Sequence, residues 1–188
     1  MPKKVKSSSP LSCETCPLFQ DKVANFREPD LPTGAPATVM FIEESEEERG
    51  ALAGLVTPDE AHLIYITRAV KCWKGNSADV PVKAIHHCRE IYMKQELKNF
   101  TGELQPLSQQ YKQCANQRIV AFGNVALHVV AGHKQKLQEV IGLPFHIKEA
   151  TAWVLAVWRP LQSELVMNTQ HLVDIKRTIG WAFWRTIK

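Results

Sequence analysis

The sequence predicts an α/β protein built on a mostly parallel sheet of four strands, with helices on both faces. Short β-branched and apolar runs are bounded by turn residues, and segments with helical periodicity lie between these runs. The strand candidates are 38–42, 64–70, 118–123 and 154–158. The helical segments are 82–100, 107–116, 124–132 and 168–187.

Two of the helical segments are specified by clear patterns. In 82–100, Ile85, Cys88 and Tyr92 follow spacings of three and four residues, which is typical of one helix face. The segment 168–187 begins with Asn168, a residue that commonly caps helix N-termini. Its apolar residues fall on a single face and predict a helix packed on the core: Leu172, Ile175, Ile179, Phe183 and Ile187.

Length and composition predict one folded domain, 11–188, preceded by a disordered basic tail, 1–10. A chain of 188 residues is long enough to bury a core without disulfides. Lys3, Lys4 and Lys6 occur in the tail without a following apolar run, which argues against a secretory signal. No apolar run is long enough for a membrane span, so we expect a cytoplasmic protein, bacterial or viral within a host cell, with no membrane partner.

The charge balance is compatible with a polyanionic partner. The net charge is +4, and lysines and arginines gain affinity for phosphates by releasing counterions. Ligands of parallel sheets gather at the carboxyl ends of the strands. The residues expected there are Glu43, Lys71, Asn124 and Arg159.

Four of the five cysteines have spacing that is typical of a metal site. Cys13 and Cys16 form a C-x2-C pair, Cys72 follows a strand candidate, and Cys88 lies within a helical segment. By count, four thiolates can hold a 4Fe-4S cluster or a zinc ion equally well. Cys114 stands apart, and we expect it to be a small buried apolar residue.

The residues around these cysteines resemble the cluster motifs of the iron–sulfur (family 4-like) uracil-DNA glycosylases. The segments that carry the resemblance are 13–18, with the sequence CETCPL, and 65–72, with the sequence YITRAVKC. Gly75-Asn76 and Pro81 precede Cys88 in the manner of that family. Three strand-end segments follow in the same order along the chain: 39–42, 121–126 and 158–160.

The resemblance implies a three-layer α/β/α sandwich that binds DNA at one rim of the sheet. It also implies that Cys13, Cys16, Cys72 and Cys88 hold a 4Fe-4S cluster with a structural role. The base-pocket positions of the family fall on Arg68 and Asn124, and the catalytic positions fall on Glu44 and Arg159.

The chain departs from the family where uracil is read and excised. The family's Gly-Glu-Ala-Pro-Gly turn is replaced by Glu43-Glu44-Ser45-Glu46-Glu47, in which only Glu44 matches. No Phe, Tyr or Trp lies between Glu48 and Ile64, so stacking worth about 1–3 kcal/mol on a flipped base is lost. Arg68 replaces an asparagine and Arg159 replaces the histidine of His-Pro-Ser, and neither arginine has an acceptor.

The acidic stretch from Glu43 to Glu48 admits two interpretations. A solvated acidic loop is the commoner case for a run of charge. The alternative is a surface that contacts a basic protein or mimics phosphate charge.

Three functional hypotheses follow. The first is a DNA-associated protein of replication or repair, with the glycosylase scaffold and its cluster but without uracil excision, whose partners are DNA and replication or repair proteins. The second is a base-processing enzyme with altered specificity that uses Glu44 and Arg159. The third is a zinc-stabilised interaction module that uses exposed or core tryptophans: Trp153, Trp158, Trp181 and Trp184.

Overall fold

A computed structural model describes residues 13–19, 26, 28, 37–73, 79–101, 117–132, 136–147, 152–161 and 168–183. Within these residues the sheet has five strands: β1 (Val39–Glu43), β2 (Ile64–Arg68), β3 (Arg118–Phe122), β4 (Phe145–Ile147) and β5 (Ala152–Val157). Their order across the sheet is β2-β1-β3-β5-β4. Neighbouring strands are parallel except for β4, which is antiparallel to β5. The protein therefore has an α/β fold with a mixed sheet.

The prediction of four strands was wrong because it missed β4. The four predicted strands form within two residues of their expected ends. Strand β4 has only three residues, and only Ile147 is buried. Such a short segment contains too few positions for a period of two to be recognised.

The helices of the described chain are α1 (Glu46–Ala53), α2 (Pro58–Ala61), α3 (Val82–Cys88), α4 (Lys94–Thr101), α5 (Gly123–Ala131), α6 (Leu137–Val140) and α7 (Thr169–Ala182). A π-helical segment, Arg89–Met93, joins α3 to α4, so the predicted helix 82–100 forms with a bulge at its centre. The predicted helix 124–132 forms as α5. The predicted helix 168–187 forms as α7 but ends at Ala182, with Phe183 as its C-cap residue, and 184–187 lie outside the described residues. The predicted helix 107–116 and the basic tail 1–10 lie outside the described residues.

Apolar side chains from the two faces of the sheet enter two separate cores. On β1, Met40 and Ile42 pack with α3, α4 and α5, whereas Val39 and Phe41 pack with α7. Because successive residues of a strand point to opposite faces, this division places helices on both sides of the sheet. The predicted arrangement of helices on both faces is confirmed.

Helix α7 begins as its sequence predicts. The Asn168 side chain accepts a hydrogen bond from the backbone N–H of His171 at 3.2 Å. Ile175 and Ile179 are fully buried against the sheet. None of the described helices is long and apolar enough to cross a membrane.

Candidate functional site

The four cysteines Cys13, Cys16, Cys72 and Cys88 line one small cavity, although they lie on three separate parts of the chain. Cys13 begins a short 3-10 turn, and the backbone N–H of Cys16 donates to the carbonyl oxygen of Cys13 at 3.0 Å. Cys72 follows β2, and Cys88 is the last residue of α3. The other residues that line the cavity are Leu18, Phe19, His87, Ile91 and Tyr92.

The cavity wall is mostly apolar, and burial there disfavours the charged form of the Cys88 thiol. Burial raises the pKa of the Cys88 thiol to about 12, and nearby Cys16 and Cys72 raise it further, against a backbone hydrogen bond from Lys71. The Tyr92 hydroxyl lies 2.9 Å from Cys13 Sγ. Thiolates in such a place need a compensating positive charge, which a bound metal supplies.

By ligand type, the four cysteines suit an iron–sulfur cluster or a zinc ion equally. None of Cys13, Cys16, Cys72 and Cys88 forms a disulfide bond. Among the described residues no three ligating side chains converge on the position of one metal ion. The four cysteines line a cavity with a volume of only about 10 Å³. Cys114 lies outside the described residues.

The π-helical segment directly after Cys88 connects the cysteine cavity to helix α5 through Arg89. The buried Arg89 guanidinium donates to the carbonyl oxygens of Val129 and Val130, at 2.9 and 2.8 Å, and thereby caps the end of α5. A Cβ on Gly132, whose φ is +73°, would lie 2.4 Å from Arg89 Nη2. Glycine at this position therefore permits both the left-handed helix end and the arginine cap.

A second group of polar residues lies at the carboxyl ends of β1, β3 and β5. Arg159, after β5, places its Nε 2.6 Å from Glu48 Oε1 and 3.4 Å from Glu44 Oε2. Its Nη2 donates to Ser45 Oγ at 3.2 Å. Both carboxylates are almost completely buried. We call Glu44, Ser45, Glu48 and Arg159 the strand-end cluster.

Glu44 also binds the start of helix α5. Its Oε1 accepts hydrogen bonds from the backbone N–H groups of Val125 at 2.5 Å and Ala126 at 3.2 Å. The first turn of a helix has unpaired N–H groups and favours negative charge. The Glu44 carboxylate therefore lies where an anionic ligand of this helix would otherwise bind.

Gly123, the first residue of α5, lies in direct contact with the strand-end cluster. An added Cβ would be 2.3 Å from Glu44 Oε1 and 2.7 Å from Arg159 Cγ, and the φ of Gly123 is +91°. The side chains of Glu44 and Arg159 thus fill the space against the β3–α5 turn. Little room is left there for a planar base.

Burial raises the pKa of Glu48 from 4.5 to about 7, and the charge of Glu44 adds to the rise. The backbone N–H of Glu44 and the Arg159 guanidinium act in the opposite direction. Because one arginine faces two buried carboxylates, a proton on Glu48 makes the group electrically neutral. The strand-end cluster therefore titrates near neutral pH.

Protein stability is expected to fall as the pH rises from about 5 to about 7. The folded protein binds more protons than the unfolded chain in this window, so deprotonation of Glu48 favours unfolding, by roughly 2–3 kcal/mol in total. Thermal unfolding of the wild type and of Glu48→Gln across this window measures the effect. Glu48→Gln should flatten the dependence, whereas the exposed neighbour Glu47→Gln should leave it unchanged. A wild-type slope that survives in Glu48→Gln would assign the titration to another group.

Of the two predicted base-pocket residues, Arg68 is buried at the end of β2, with Nη2 3.4 Å from Glu46 Oε1. Asn124 is exposed, and its Oδ1 accepts from the backbone N–H of Leu137 at 3.1 Å. Neither side chain has a described contact with Glu44 or Arg159. Of the four predicted site residues, Glu44 and Arg159 contact each other.

The two other predicted strand-end residues form ion pairs of their own. Glu43 is fully buried and accepts a bidentate contact from Arg49. Lys71 is buried and lies 2.5 Å from Glu96 Oε1, and Thr67 Oγ1 donates to the same carboxylate at 2.7 Å. The Glu43–Arg49 and Lys71–Glu96 pairs are therefore largely buried ion pairs within the fold.

The interpretation of Glu43 to Glu48 as a solvated acidic loop was wrong. Glu43, Glu44 and Glu48 are buried and pair with arginines, and the stretch turns into helix α1 at Glu46. Only Glu46 and Glu47 of the stretch are exposed.

Sequence reasoning missed Glu48 as a member of the strand-end cluster. Ser45-Glu46-Glu47-Glu48 has the S-x-x-E pattern of a helix start, in which the glutamate folds back over the first turn. In the structure Glu48 accepts from the Glu44 backbone N–H at 2.8 Å and from Ser45 Oγ at 3.3 Å. The pattern could have predicted both the helix and the inward direction of Glu48.

The fold and the two groups of residues define an α/β protein with a cysteine-lined cavity and an internally paired strand-end cluster. No protein-family model matches the chain, and no curated protein matches it.

Proposed function

We propose that this protein is a divergent relative of the iron–sulfur uracil-DNA glycosylases that binds DNA and does not excise uracil. The observation that carries the proposal is the strand-end cluster. Glu44 is the one matching residue of the family's first motif, yet its carboxylate is held by two backbone N–H groups and faces Arg159. A carboxylate used in this way is not available to assist water or a sugar cation.

The cysteine cavity supports the cluster in this proposal. Four thiols from three parts of the chain meet at one cavity, as the resemblance implies for a 4Fe-4S cluster. Cys13, Cys16, Cys72 and Cys88 would hold it. A cluster of this kind supplies a covalent link between the N-terminal turn, the end of β2 and helix α3.

The zinc-stabilised module remains a distinct alternative, because the same four thiols could bind zinc by count. Its tryptophans are not equivalent in the structure. Trp153 is 48% exposed and packs against the His146 ring, whereas Trp158 stacks on His171. Trp181 lies under the Arg118 guanidinium, and Trp184 is outside the described residues. Elemental analysis of the purified protein separates zinc from iron with labile sulfide.

Uracil release is expected to be at least on the order of a thousandfold slower than in an active relative. The stacking aromatic, the edge-reading asparagine and the histidine of the last motif are all replaced, and each tenfold in rate requires only about 1.4 kcal/mol. The measurement is a glycosylase assay on single- and double-stranded DNA that contains uracil or several modified bases. Arg159→His alone should not restore activity, because stacking and edge recognition remain absent.

Two outcomes of this assay would contradict the proposal in different ways. Robust uracil release that is abolished by Glu44→Gln would establish a rebuilt active site. Release of a modified base, also lost in Glu44→Gln, would favour the base-processing enzyme with altered specificity.

DNA binding in this proposal comes from lysine and arginine contacts to phosphates. Affinity for an oligonucleotide should therefore fall steeply with salt and depend little on sequence. Fluorescence anisotropy at several salt concentrations measures it. Tight binding that is insensitive to salt would contradict this mode of binding.

A further inference from the structure

Arg68 is a buried arginine whose donors are poorly used. Its residue exposure is 3%, and its Nη1 lies 3.4 Å from the carbonyl oxygen of Trp73. Its Nη2 lies 3.4 Å from Glu46 Oε1, and within the described chain its Nε has no hydrogen-bond partner. Charge-assisted contacts of arginine are normally about 2.7–2.9 Å long, so both contacts are weak. A buried guanidinium with so few partners calls for a further acceptor.

Arg49 offers a comparison, because its Nε and Nη2 are both hydrogen-bonded to one carboxylate. Its Nη2 and Nε contact the two carboxylate oxygens of Glu43 at 2.6 and 3.2 Å. Nε and Nη2 form the side-on edge of arginine, and this edge matches the two oxygens of one carboxylate or phosphate group. In Arg68 this edge has a single long contact.

The unused edge of Arg68 is itself buried and lies beneath the exposed side chain of Glu46. Arg68 is the last residue of β2, at the carboxyl end of the sheet, and it is in register with Glu43 on β1. Glu46, the residue that contacts Nη2, has a side chain that is 64% exposed. Because that side chain lies mostly in solvent, the edge of Arg68 lies just below the surface. Displacement of the Glu46 carboxylate would expose Nε and Nη2 of Arg68 to a ligand.

We propose that Arg68 binds a DNA phosphate through Nε and Nη2, and that Glu46 competes with the phosphate for this edge. The inference rests on the proposed DNA-binding function and adds a named phosphate contact to it. A phosphodiester presents two charged oxygens to the fork, whereas Glu46 presents one oxygen at 3.4 Å. The phosphate can therefore replace the weak contact between Arg68 and Glu46.

The test compares Glu46→Gln with Glu47→Gln. Both side chains are exposed, both lie in the first turn of α1, and both substitutions remove one negative charge. Binding of a fluorescein-labelled single-stranded oligonucleotide is followed by anisotropy at low salt. Glu46→Gln should bind about two- to fivefold more tightly than Glu47→Gln, the range that corresponds to the loss of one exposed ion pair.

The gain should disappear when Arg68 is also changed. Arg68→Gln and the double variant Glu46→Gln with Arg68→Gln should bind equally weakly. Arg68→Lys keeps the positive charge but lacks the paired Nε and Nη2 donors, so in the Glu46→Gln background it should also lose most of the gain in DNA affinity. This variant replaces Arg68→Gln if the latter does not fold. Inorganic phosphate should compete with the oligonucleotide more strongly in Glu46→Gln than in Glu47→Gln.

Several results would overturn the inference. An equal gain in Glu46→Gln and Glu47→Gln would indicate a general charge effect, and a gain that persists without Arg68 would place the contact elsewhere. If Glu46→Gln binds inorganic phosphate but gains nothing for DNA, the edge takes free phosphate instead. Salt-sensitive DNA binding by the wild type that is unchanged in Arg68→Gln would refute the Arg68 contact alone, whereas no DNA binding by any variant would refute the proposed function as well.

Discussion

Alanine at Cys72 or Cys88 is expected to leave the protein insoluble or readily proteolysed. Both cysteines are buried beside the end of β2 and the end of α3, and they line the cavity with Cys13 and Cys16. Because a metal site forms only in the folded chain, its binding free energy is also folding free energy. Loss of one ligand of the proposed cluster should therefore remove far more stability than the loss of a small buried side chain.

Anaerobically purified wild-type protein should accordingly be brown and contain about four irons per chain with labile sulfide. Iron content, visible absorbance and protease resistance measure the wild type and the variants together. Cys114→Ala is the matched control, and its effect should be mild. Colourless wild-type protein with stoichiometric zinc would refute the iron–sulfur cluster, and an equal loss of stability in Cys114→Ala would show that the ligands are wrongly assigned.

Replacement of Arg159 by methionine is expected to destabilise the protein by about 3–5 kcal/mol at pH 8. Methionine keeps much of the apolar stem but removes the cation that faces Glu44 and Glu48, both of which are almost completely buried. Uncompensated buried carboxylates are costly because they lose the solvation that water would give them. The loss should be smaller at pH 5, where protonation neutralises Glu48.

Denaturant unfolding at the two pH values measures this effect. Arg177→Met on α7 is the control, since Arg177 is exposed and the same substitution there should change stability by no more than about 0.5 kcal/mol. A small effect of Arg159→Met at both pH values would mean that the two carboxylates are already neutral or solvated. In that case Arg159 would not be needed to neutralise the carboxylates of the strand-end cluster.

The fold class could be predicted from the sequence because the central strands are short apolar runs between turn residues. The clearest example is Arg118–Phe122, whose five residues are all buried. The strand β4 and the helices α1 and α2 could not be predicted in this way, since they are too short or too polar for periodicity. Capping patterns do mark both helices: Ser45-x-x-Glu48 and Thr57-x-x-Glu60, the latter with Glu60 Oε2 accepting from the Thr57 N–H at 2.8 Å.

The candidate site was predictable to different extents in its two parts. The spacing of the four cysteines and the residues around them predict that they form one group. In the structure all four line the same cavity. The directions of Glu44, Arg68 and Arg159 depend on contacts between strands that are distant in sequence. No local pattern predicts that Arg159 contacts Glu48, because the two residues are 111 positions apart and are brought together only by the order of the strands in the sheet.

Strand β4 also protects the sheet from association with other chains. Its neighbour β5 has the sequence AWVLAV, which carries no charge and consists of residues that favour extended, stackable segments. β4 pairs with β5 along Phe145–Ile147 and presents to the outside an edge of only three residues. A short edge offers few unpaired backbone groups to another molecule. Detachment of β4 would therefore expose the edge of β5 at Ala152–Val154 to intermolecular β-pairing, and it would also withdraw Ile147 from the core.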